Sequence, residues 1–506
     1  MLKRRYRAKS KAHHGASLLE YGVVLALIGA VSVPAVYSLG REIQDAFVHG
    51  ATALNLASLA SGQDAGDPLD PDAFVIEVSA TTAVVYPMAG SSITIDWGDE
   101  TANASCGQSF TAGASVSCSY PGPGTYTISI TGDMTSYGSS DGDLTNSAII
   151  RVLQWGNTGL TSLEHGFRGA VNLIDVPGNL PSSVISLSLL FSGATSINDS
   201  DIASWDTSNV QDFSKAFNGA TSFDVDIGSW DTSSATTLER MFYNAGSFNQ
   251  DINSWDVSGV TTIEAVFRGA TAFSYDLDFW DTSNVTNMQA AFRGIDYNGD
   301  IEAWDTSSVE NMSYLFAENG TFDRDISGWD TSNVTTMFRM FYFSPSFDQD
   351  ISTWNMTSVE DIQAMFNGAT AFSQDLDGWD TSNISNMLGL FSSTSYNGNI
   401  DTWDVSAVSN MDYMFNSNPV FDRDISGWNV SNVGSFRNTF EGATSFSTDL
   451  SNWNVSAATN MDSMFSGASS FSSDLSGWCV SGIATRPSQF SNTSSISAEP
   501  VWGSCP

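Results

Sequence analysis

Tryptophan recurs at a fixed interval along most of the chain. The spacing is 25 residues and shortens to 24 only twice, in the series Trp205, Trp230, Trp255, Trp280, Trp304, Trp329, Trp354, Trp379, Trp403, Trp428, Trp453 and Trp478. A period of about 20 to 50 residues is typical of proteins in which copies of one small unit stack on each other. The spacing therefore predicts a solenoid, whose main asset is a long surface for binding, rather than a single globular core.

The repeated unit reads D-[IL]-x-x-W-[DN]-x-S-x-V-x-x-M-x-x-x-F-x-G-A-x-x-F. Counting its phenylalanines gives about 14 coils, with irregular capping coils over 154–198 and the regular array over 199–490. Because no coil can bury its own apolar face, we expect identical residues to form internal ladders. An exposed tryptophan platform for stacking sugars is the alternative, disfavoured by the apolar residue close to each tryptophan.

The wording of the unit points to a known kind of repeat. Residues 280–292 read WDTSNVTNMQAAF, and residues 246–258 read GSFNQDINSWDVS. This unit resembles the 25- to 26-residue repeat of BspA-like surface proteins over roughly residues 200–490. The resemblance implies a leucine-rich-repeat-like, β-rich solenoid. We place one short strand per coil near the methionine and phenylalanine, with D-I-x-x-W-D as the alternative position.

The chain is strongly acidic, with a formal net charge of −38. Such a surface repels nucleic acid, which is not an expected partner, and suits cations. An aspartate four residues before tryptophan recurs in 11 coils, and stacked carboxylates about 5 Å apart need compensation. Capping of turns by backbone N–H groups is the favoured explanation. Calcium is the other hypothesis, with candidate ligands Asp251, Asp276, Asp325 and Asp350.

Four cysteines form two close pairs, Cys106 with Cys118 and Cys479 with Cys505. An even count in a chain with an export segment predicts two disulfides made in an oxidising compartment. Four free thiols in a cytosolic protein are the alternative. The second bridge would hold the tail, residues 491–506, over the open end of the array as a C-terminal cap.

The N-terminal segment has the features of a membrane anchor. Residues 1–15 are basic, and Gly22 to Leu39 give 18 residues without a charge, about 27 Å as a helix and enough for a bilayer core. Glu20 lies at the edge of this apolar run, where a carboxylate is costly unless it is paired. Glu20 is therefore a candidate for a functional contact.

This order of residues resembles the prepilin N-terminus of the Flp-type (Tad) branch of type IV pilins. The resemblance rests on Gly15, Ala16, Glu20 and Tyr21 and implies cleavage between the first two by a prepilin peptidase. It also implies a hydrophobic helix over 16–56 that lies in the inner membrane first. There Glu20 and Tyr21 would serve assembly with other pilin subunits. A simple signal anchor is the alternative reading.

After a Ser-, Gly-, Asp- and Pro-rich linker over 57–72, residues 73–153 contain short alternating runs such as FVIEVSA and TYTISITG. They predict a small antiparallel β-sandwich. The Asp96-Trp-Gly-Asp99 turn before a GTYT-type strand resembles PKD-like domains, which implies a spacer role. Asp96 and Asp99 are expected to stabilise this turn, with a cation site as the alternative.

No catalytic constellation is visible, so we expect no enzyme. Only His49 and His165 follow the leader, which leaves Ser-His or Cys-His catalysis without a plausible base. Zinc spacings and phosphate-binding glycine loops do not occur.

The expected function is that of a bacterial pilus-associated adhesin, cut from an inner-membrane precursor and displayed outside the cell for attachment to a surface ligand that remains unknown. Multiple copies would add avidity. A structural subunit of a decorated filament or surface layer is one alternative. A membrane-anchored binding module outside any pilus is the other.

Overall fold

The computed structural model describes residues 69–85, 88–106, 109–110, 116–138 and 144–506. Pro68–Pro506 form one compact unit. The predicted leader, the hydrophobic helix and most of the linker lie outside the described residues, and so do Gly15, Ala16, Glu20 and Tyr21. Within the described ranges, no helical segment has the length and apolar character that crossing a bilayer requires.

An antiparallel sheet opens the described part of the chain. Its strands stand in the order β3-β2-β4-β1-β5, with one short helix between β2 and β3. The elements are β1 (Phe74–Val85), β2 (Met88–Asp96), α1 (Glu100–Cys106), β3 (Ser109–Phe110), β4 (Val116–Tyr137), a 3-10 helix (Leu144–Ala148) and β5 (Ile149–Gln154). Alternating side chains of the strands fill one core, among them Phe74, Ile76, Ile95, Ile128 and Ile130.

The prediction of a small antiparallel β domain is confirmed, but the described strands form one sheet instead of the two layers of a sandwich. The long strand β4 is the reason. It has 22 residues and pairs with β1 on one edge and β2 on the other. Every described strand is thereby joined into a single hydrogen-bonded sheet.

The Asp96–Asp99 turn has the role that the sequence favoured. The backbone N–H of Gly98 donates to Asp96 Oδ1 at 2.9 Å, and Gly98 takes a φ of 72° that favours glycine. Asp99 accepts from the backbone N–H of Ala102 at 2.9 Å. This bond caps the first turn of α1.

The coils begin directly on the sheet. Parallel bridges join Ser136 of β4 to Ser162, and Arg151 of β5 to Asp175. The aromatic core is continuous across this boundary, because the ring of Tyr137 lies 4.7 Å from that of Phe74 and 5.7 Å from that of Phe167. The sheet thus supplies a buried face for the first, irregular coils.

Equivalent residues of successive coils stack in register. One parallel bridge per coil joins the residues just before the methionine position, at Ser162, Ser186, Asp212, Thr237, Thr262, Asn287, Asn311, Thr336 and Asp361, and again at Asn386, Asn410, Ser435 and Asn460. The extended point of each coil therefore lies near the methionine, as predicted, and not at D-I-x-x-W-D. The expectation of a β-rich array was wrong in degree, since residues 155–506 contain isolated bridges and turns but no regular strand.

Alternating backbone hydrogen bonds explain why no strand forms. In one coil the N–H groups of Phe213, Lys215, Phe217 and Gly219 donate to carbonyls of the next coil, while those of Ala216 and Asn218 donate three residues back. This alternation needs left-handed backbone at two positions, with φ of 57° at Lys215 and 69° at Gly219. Two left-handed residues in seven interrupt the extended backbone of a regular strand.

We call this segment the hydrogen-bonded arc. It comprises residues 213–219 and their equivalents 238–244, 263–269, 288–294, 312–318, 337–343, 362–368, 387–393, 411–417, 436–442 and 461–467. Its third position, two residues after the methionine position, is left-handed in every one of these coils. The arc is therefore one continuous backbone-bonded wall of the array.

The repeated tryptophans form an internal ladder. Their side chains are only 1–5% exposed, which excludes the sugar-stacking platform. Consecutive indoles in contact lie 6.2–6.4 Å apart and within 5° of parallel. Eleven of the twelve indole N–H groups donate at 2.8–3.4 Å to a carbonyl of the preceding coil. The acceptor is the carbonyl of the Ile or Leu that lies three residues before the tryptophan of the preceding coil. The exception is Trp205, which donates to the Pro177 carbonyl.

Phenylalanines form two further columns. From Phe191 to Phe465, the first phenylalanine of each coil stacks on its neighbours at 5.6–5.9 Å. In the two 24-residue coils, Tyr297 and Tyr396 replace the second phenylalanine. A fully buried asparagine of the following coil, Asn319 or Asn418, donates to each tyrosine carbonyl at 2.9 Å. The amide thus satisfies a backbone acceptor where the period is shortened.

Candidate binding surface

The carboxylates predicted as calcium ligands cap turns. Asp251, Asp325 and Asp350 each accept from the backbone N–H two residues later, at 3.1, 3.0 and 3.0 Å. Asp276 instead accepts from the backbone N–H of Asp300 in the next coil at 2.8 Å. Backbone donors therefore compensate the stacked negative charges, which is the explanation that the sequence favoured.

These hydrogen bonds also change the acidity of the carboxyl groups. The Ser327 hydroxyl and backbone N–H lower the pKa of Asp325, and Ser352 lowers the pKa of Asp350 in the same way. No group of three or more His, Cys, Asp or Glu residues that could hold a metal ion occurs in the part of the chain that the structure describes. Calcium binding remains a prediction, and the charge on these rows does not require it.

A second polar column escaped the sequence reasoning. The residue after the second phenylalanine position is Asp, Asn or Ser, and where the preceding coil has Asp or Asn there, the backbone N–H donates to that side chain. The backbone N–H of Asp348 donates to the Asp323 carboxylate at 3.0 Å, and the backbone N–H of Ser373 donates to the Asp348 carboxylate at 2.9 Å. The recurrence of F-[DNS] was the available signal, but it does not tell which neighbour the side chain contacts.

Both predicted disulfides are present. Cys106 of α1 bonds to Cys118 of β4 with a Cα–Cα distance of 5.4 Å, and Cys479 bonds to Cys505. The second bridge ties the C-terminal tail to the last regular coil. There the backbone N–H of Val480 also donates to Ser504. The tail is therefore fixed on the end of the array, as a cap would be.

The third position of the hydrogen-bonded arc differs from coil to coil, whereas the ladder positions repeat. This left-handed position holds Lys215, Arg240, Ala265, Ala290, Tyr314, Arg339, Ala364, Gly389, Tyr413, Asn438 and Ser463. Its alanines are buried, but the other side chains range from charged to aromatic, so packing does not fix one residue type there. The arc is where one scaffold presents a varied surface.

Three of the six basic residues on this arc have acidic partners, whereas Arg268, Arg339 and Arg437 lie over aromatic rings. Lys215 Nζ lies 2.9 Å from Glu239, and Arg240 lies 2.5 Å from Glu264. Arg293 lies 2.9 Å from Glu318. In a chain with 56 acidic and 18 basic residues, such pairing is the expected arrangement.

Arg339 lies against more aromatic rings than any other basic residue of the arc. Its guanidinium lies over the rings of Tyr314, Phe338 and Tyr342, at 5.8, 5.1 and 4.8 Å from their centroids. Its side chain has no ion pair within the described residues, and its covered Nε has no hydrogen-bond partner there. Arg293 extends the group, because its guanidinium lies 4.7 Å from the centroid of Tyr314.

One exposed ring completes this surface. Phe343 is 51% exposed, packs edge-on against Tyr342 at 4.6 Å, and takes a left-handed φ of 52°. Six of the eleven coils with this arc have glycine at that position. We call Arg293, Tyr314, Phe338, Arg339, Tyr342 and Phe343 the arginine–aromatic cluster.

The chemistry of the cluster is recognition. Ring faces hold a guanidinium through cation–π attraction of about 0.5–1 kcal/mol each at exposed sites and leave its N–H edges for a planar anion. Sequence reasoning missed the cluster, because Tyr314 and Arg339 lie 25 residues apart and meet only when coils stack. The signal that could have found it is the concentration of Phe338, Arg339, Tyr342 and Phe343 in one coil of an acidic chain.

The carboxyl groups of Asp175 and Asp199 interact at the junction of the sheet and the coils. Burial, and then the charge of Asp199, raises the pKa of Asp175 to about 6, although Arg151 lies 3.5 Å away. Asp199 itself accepts from the backbone N–H groups of Val176 and Asp201 at 2.8 and 3.2 Å. Both of its oxygens are thus engaged in holding the chain, so the pair reads as structural rather than catalytic.

A family model described as "Mycoplasma protein of unknown function, DUF285" matches the chain three times, over residues 185–298, 287–397 and 387–502. Together these matches span more than half of the chain and contain the hydrogen-bonded arc throughout. The sheet lies outside them. No curated protein and no solved structure matches the chain significantly.

Proposed function

Because the chain belongs to the DUF285 family of repeat proteins, we propose that it is a surface adhesin whose coils attach a bacterial cell to another cell, a host or a surface. One observation carries this proposal. The ladder positions repeat the same residues, while the left-handed positions of the arc change from lysine and arginine to tyrosine, alanine and glycine. A constant scaffold with one varied, extended face is how repeat proteins build binding surfaces.

The coils act by binding rather than by catalysis. The carboxylates of the array are engaged with backbone N–H groups, as at Asp251, Asp276 and Asp350. General acid–base chemistry needs two groups in contrasting environments that are free to exchange protons with a substrate. The arc offers guanidinium groups and aromatic rings instead, which are residues of recognition surfaces.

The N-terminal residues supply the route to the surface in this proposal. The order Gly15, Ala16, Glu20, Tyr21 and an uncharged run resembles Flp-type pilins. We therefore place the chain on a Tad-type pilus after cleavage by a prepilin peptidase, with Glu20 contacting a neighbouring subunit. Its size suits a minor or tip subunit. The two disulfides support an oxidising compartment outside the cytoplasm.

The sheet serves in this proposal as a PKD-like spacer, and the coils as a leucine-rich-repeat-like solenoid. The turn at Asp96 and Asp99 supports the first part. The bridges between successive coils support the second.

Attachment of intact cells tests the function. We expect cells that carry the full chain to attach to a host-cell layer or abiotic surface, and cells whose chain lacks residues 199–490 to lose that attachment. Equal attachment by both strains would contradict the proposal. N-terminal sequencing of the exported chain should begin at Ala16, and another start would remove the pilin part.

Immunogold labelling of purified filaments then separates the arrangements. Sparse or terminal label is expected for a minor or tip adhesin. Label along the whole filament would indicate a structural subunit, and label confined to the cell envelope would indicate an anchored module.

A further inference from the structure

We propose that the arginine–aromatic cluster binds a carboxylated saccharide, with Arg339 bonding the carboxylate and Phe343 packing on the sugar ring. This inference rests on the proposed function, because it names the ligand class of the surface that makes the attachment. Four observations lead to it.

The first is a comparison inside the chain. Arg240 and Arg339 occupy the same position of the arc with φ of 54° and 55°. Arg240 pairs with Glu264 of the next coil and lies 3.8 Å from Glu239 of its own coil. At the corresponding positions around Arg339, the chain has Gln363 and Phe338. Both acids that would neutralise Arg339 are therefore replaced by uncharged residues.

The second is the way the guanidinium is held. Rings of Tyr314, Phe338 and Tyr342 lie within 5.8 Å of it, so aromatic side chains surround it on several sides. A guanidinium bonds a carboxylate through its N–H edge, with two parallel hydrogen bonds. Rings that fix the plane of the guanidinium reduce the conformational entropy that such a contact costs.

The third is the cost of Phe343. A left-handed backbone at a bulky non-glycine residue is strained, and the next coil has Gly368 at the equivalent position. The ring nevertheless stays half-exposed, packed on Tyr342. A Cβ at Gly368 would lie 3.0 Å from the Phe343 ring, so the absence of a side chain there leaves room for the ring. A pyranose presents a C–H face that can pack on such a ring.

The fourth is the charge of the whole chain. A net charge of −38 repels polymers of high negative charge density. A saccharide with one carboxylate per sugar ring requires only one free guanidinium and contributes apolar C–H faces as well. That composition matches a guanidinium without an acidic partner beside an exposed ring better than a polyphosphate or a polysulfate does.

The test is titration calorimetry of the full chain in detergent micelles. The probes are trigalacturonate, a hyaluronan tetrasaccharide and 3′-sialyllactose. The methyl ester of each serves as its uncharged control, and hexaglutamate represents an acidic peptide. We expect at least one carboxylated saccharide to bind, and its methyl ester to bind about tenfold more weakly or worse, because the ester removes the charge-assisted pair.

Two variants and one matched control locate the contact. Arg339→Gln should weaken saccharide binding about tenfold. Phe343→Gly should weaken it several-fold while the fold is kept, because glycine suits the left-handed backbone. Arg240→Gln changes the same arc position where acids are present, and should leave the affinity unchanged within about twofold.

The inference is overturned if none of the saccharides binds, if the methyl esters bind equally well, or if Arg339→Gln binds like the parent chain. Arg339-dependent binding of hexaglutamate alone would also overturn it and identify an acidic peptide as the occupant. Cell attachment distinguishes a failure of the saccharide inference from a failure of the adhesin function. Loss of attachment without residues 199–490, together with no saccharide binding, refutes this inference but leaves the adhesin function standing.

Discussion

Replacing Trp304 by phenylalanine should destabilise the array through a hydrogen bond that spans two coils. The indole is 4% exposed, stacks on Trp280 at 6.2 Å and on Trp329 at 6.3 Å, and donates to the Leu277 carbonyl at 2.8 Å. That carbonyl keeps a second donor, the backbone N–H of Trp280 at 3.2 Å. The lost bond should therefore cost about 1 kcal/mol, and the smaller ring adds about 1–2 kcal/mol for the void.

Trp428 provides the matched control. It is 5% exposed and stacks on Trp403 at 6.4 Å, but its buried Nε1 has no acceptor within the described residues. Trp428→Phe creates a similar void while it removes an unsatisfied donor, which relieves about 1 kcal/mol or more. We expect Trp304→Phe to lose about 2–3 kcal/mol of unfolding free energy and Trp428→Phe to lose less by about 1–3 kcal/mol.

Unfolding in guanidinium chloride, followed by far-UV circular dichroism, measures the unfolding free energy of both variants. Calorimetry checks that each transition is cooperative. Hydrogen exchange of amides in the flanking coils shows whether the loss is local. Equal losses at the two sites would refute the claim that indole N–H groups tie each coil to the one before it. A larger loss at Trp428 would refute it more strongly.

Three further outcomes follow from the contacts described above. Folding raises the pKa of Asp175 to about 6, so its protonated form is favoured in the folded state and its contribution is lost as the pH rises through 6. Asp175→Asn should therefore stabilise at pH 8 by about 1 kcal/mol after screening and change little at pH 4, as melting curves at both pH values would show. Asp325→Asn should melt like the parent chain because the amide keeps the acceptor, while Asp325→Ala should lose about 0.5–1.5 kcal/mol; a melting temperature lowered by EDTA would indicate calcium instead. Cys479→Ser should cost about 2–4 kcal/mol and speed hydrogen exchange in residues 491–506, and unchanged exchange there would refute the capping role.

The sequence was sufficient for the features that the repeat leaves no freedom to change. A coil of 25 residues with one tryptophan must stack its neighbours in register, so the buried ladder followed from the spacing. The bridge near the methionine was one of two positions that the repeat left open, and the stacking of the coils decides between them. The turn role of Asp325 followed from the tendency of aspartate to bond nearby backbone. The pairing of Cys479 with Cys505 followed from an even count of cysteines that lie in two close pairs.

Other features depend on which residues meet across coils, and spacing does not contain that information. Left-handed backbone at Lys215 or Arg240 cannot be read from residues that rarely adopt it, so the array was expected to be richer in strands than it is. The single sheet follows from the length of β4, which pairs with β1 on one edge and β2 on the other. The contacts of Arg339 appear only after one coil is placed on the next.

Exchange of the tryptophan side-chain N–H protons with deuterium, followed by ¹H–¹⁵N NMR, tests the ladder most directly. The account predicts that indole N–H groups of the repeated tryptophans exchange slower than in free tryptophan by about a hundredfold or more, with Trp428 the fastest among them because it has no acceptor. If all indole N–H groups exchange at the rate of free tryptophan, they are not hydrogen-bonded inside a buried stack. That result would contradict the ladder and the binding surface that depends on it.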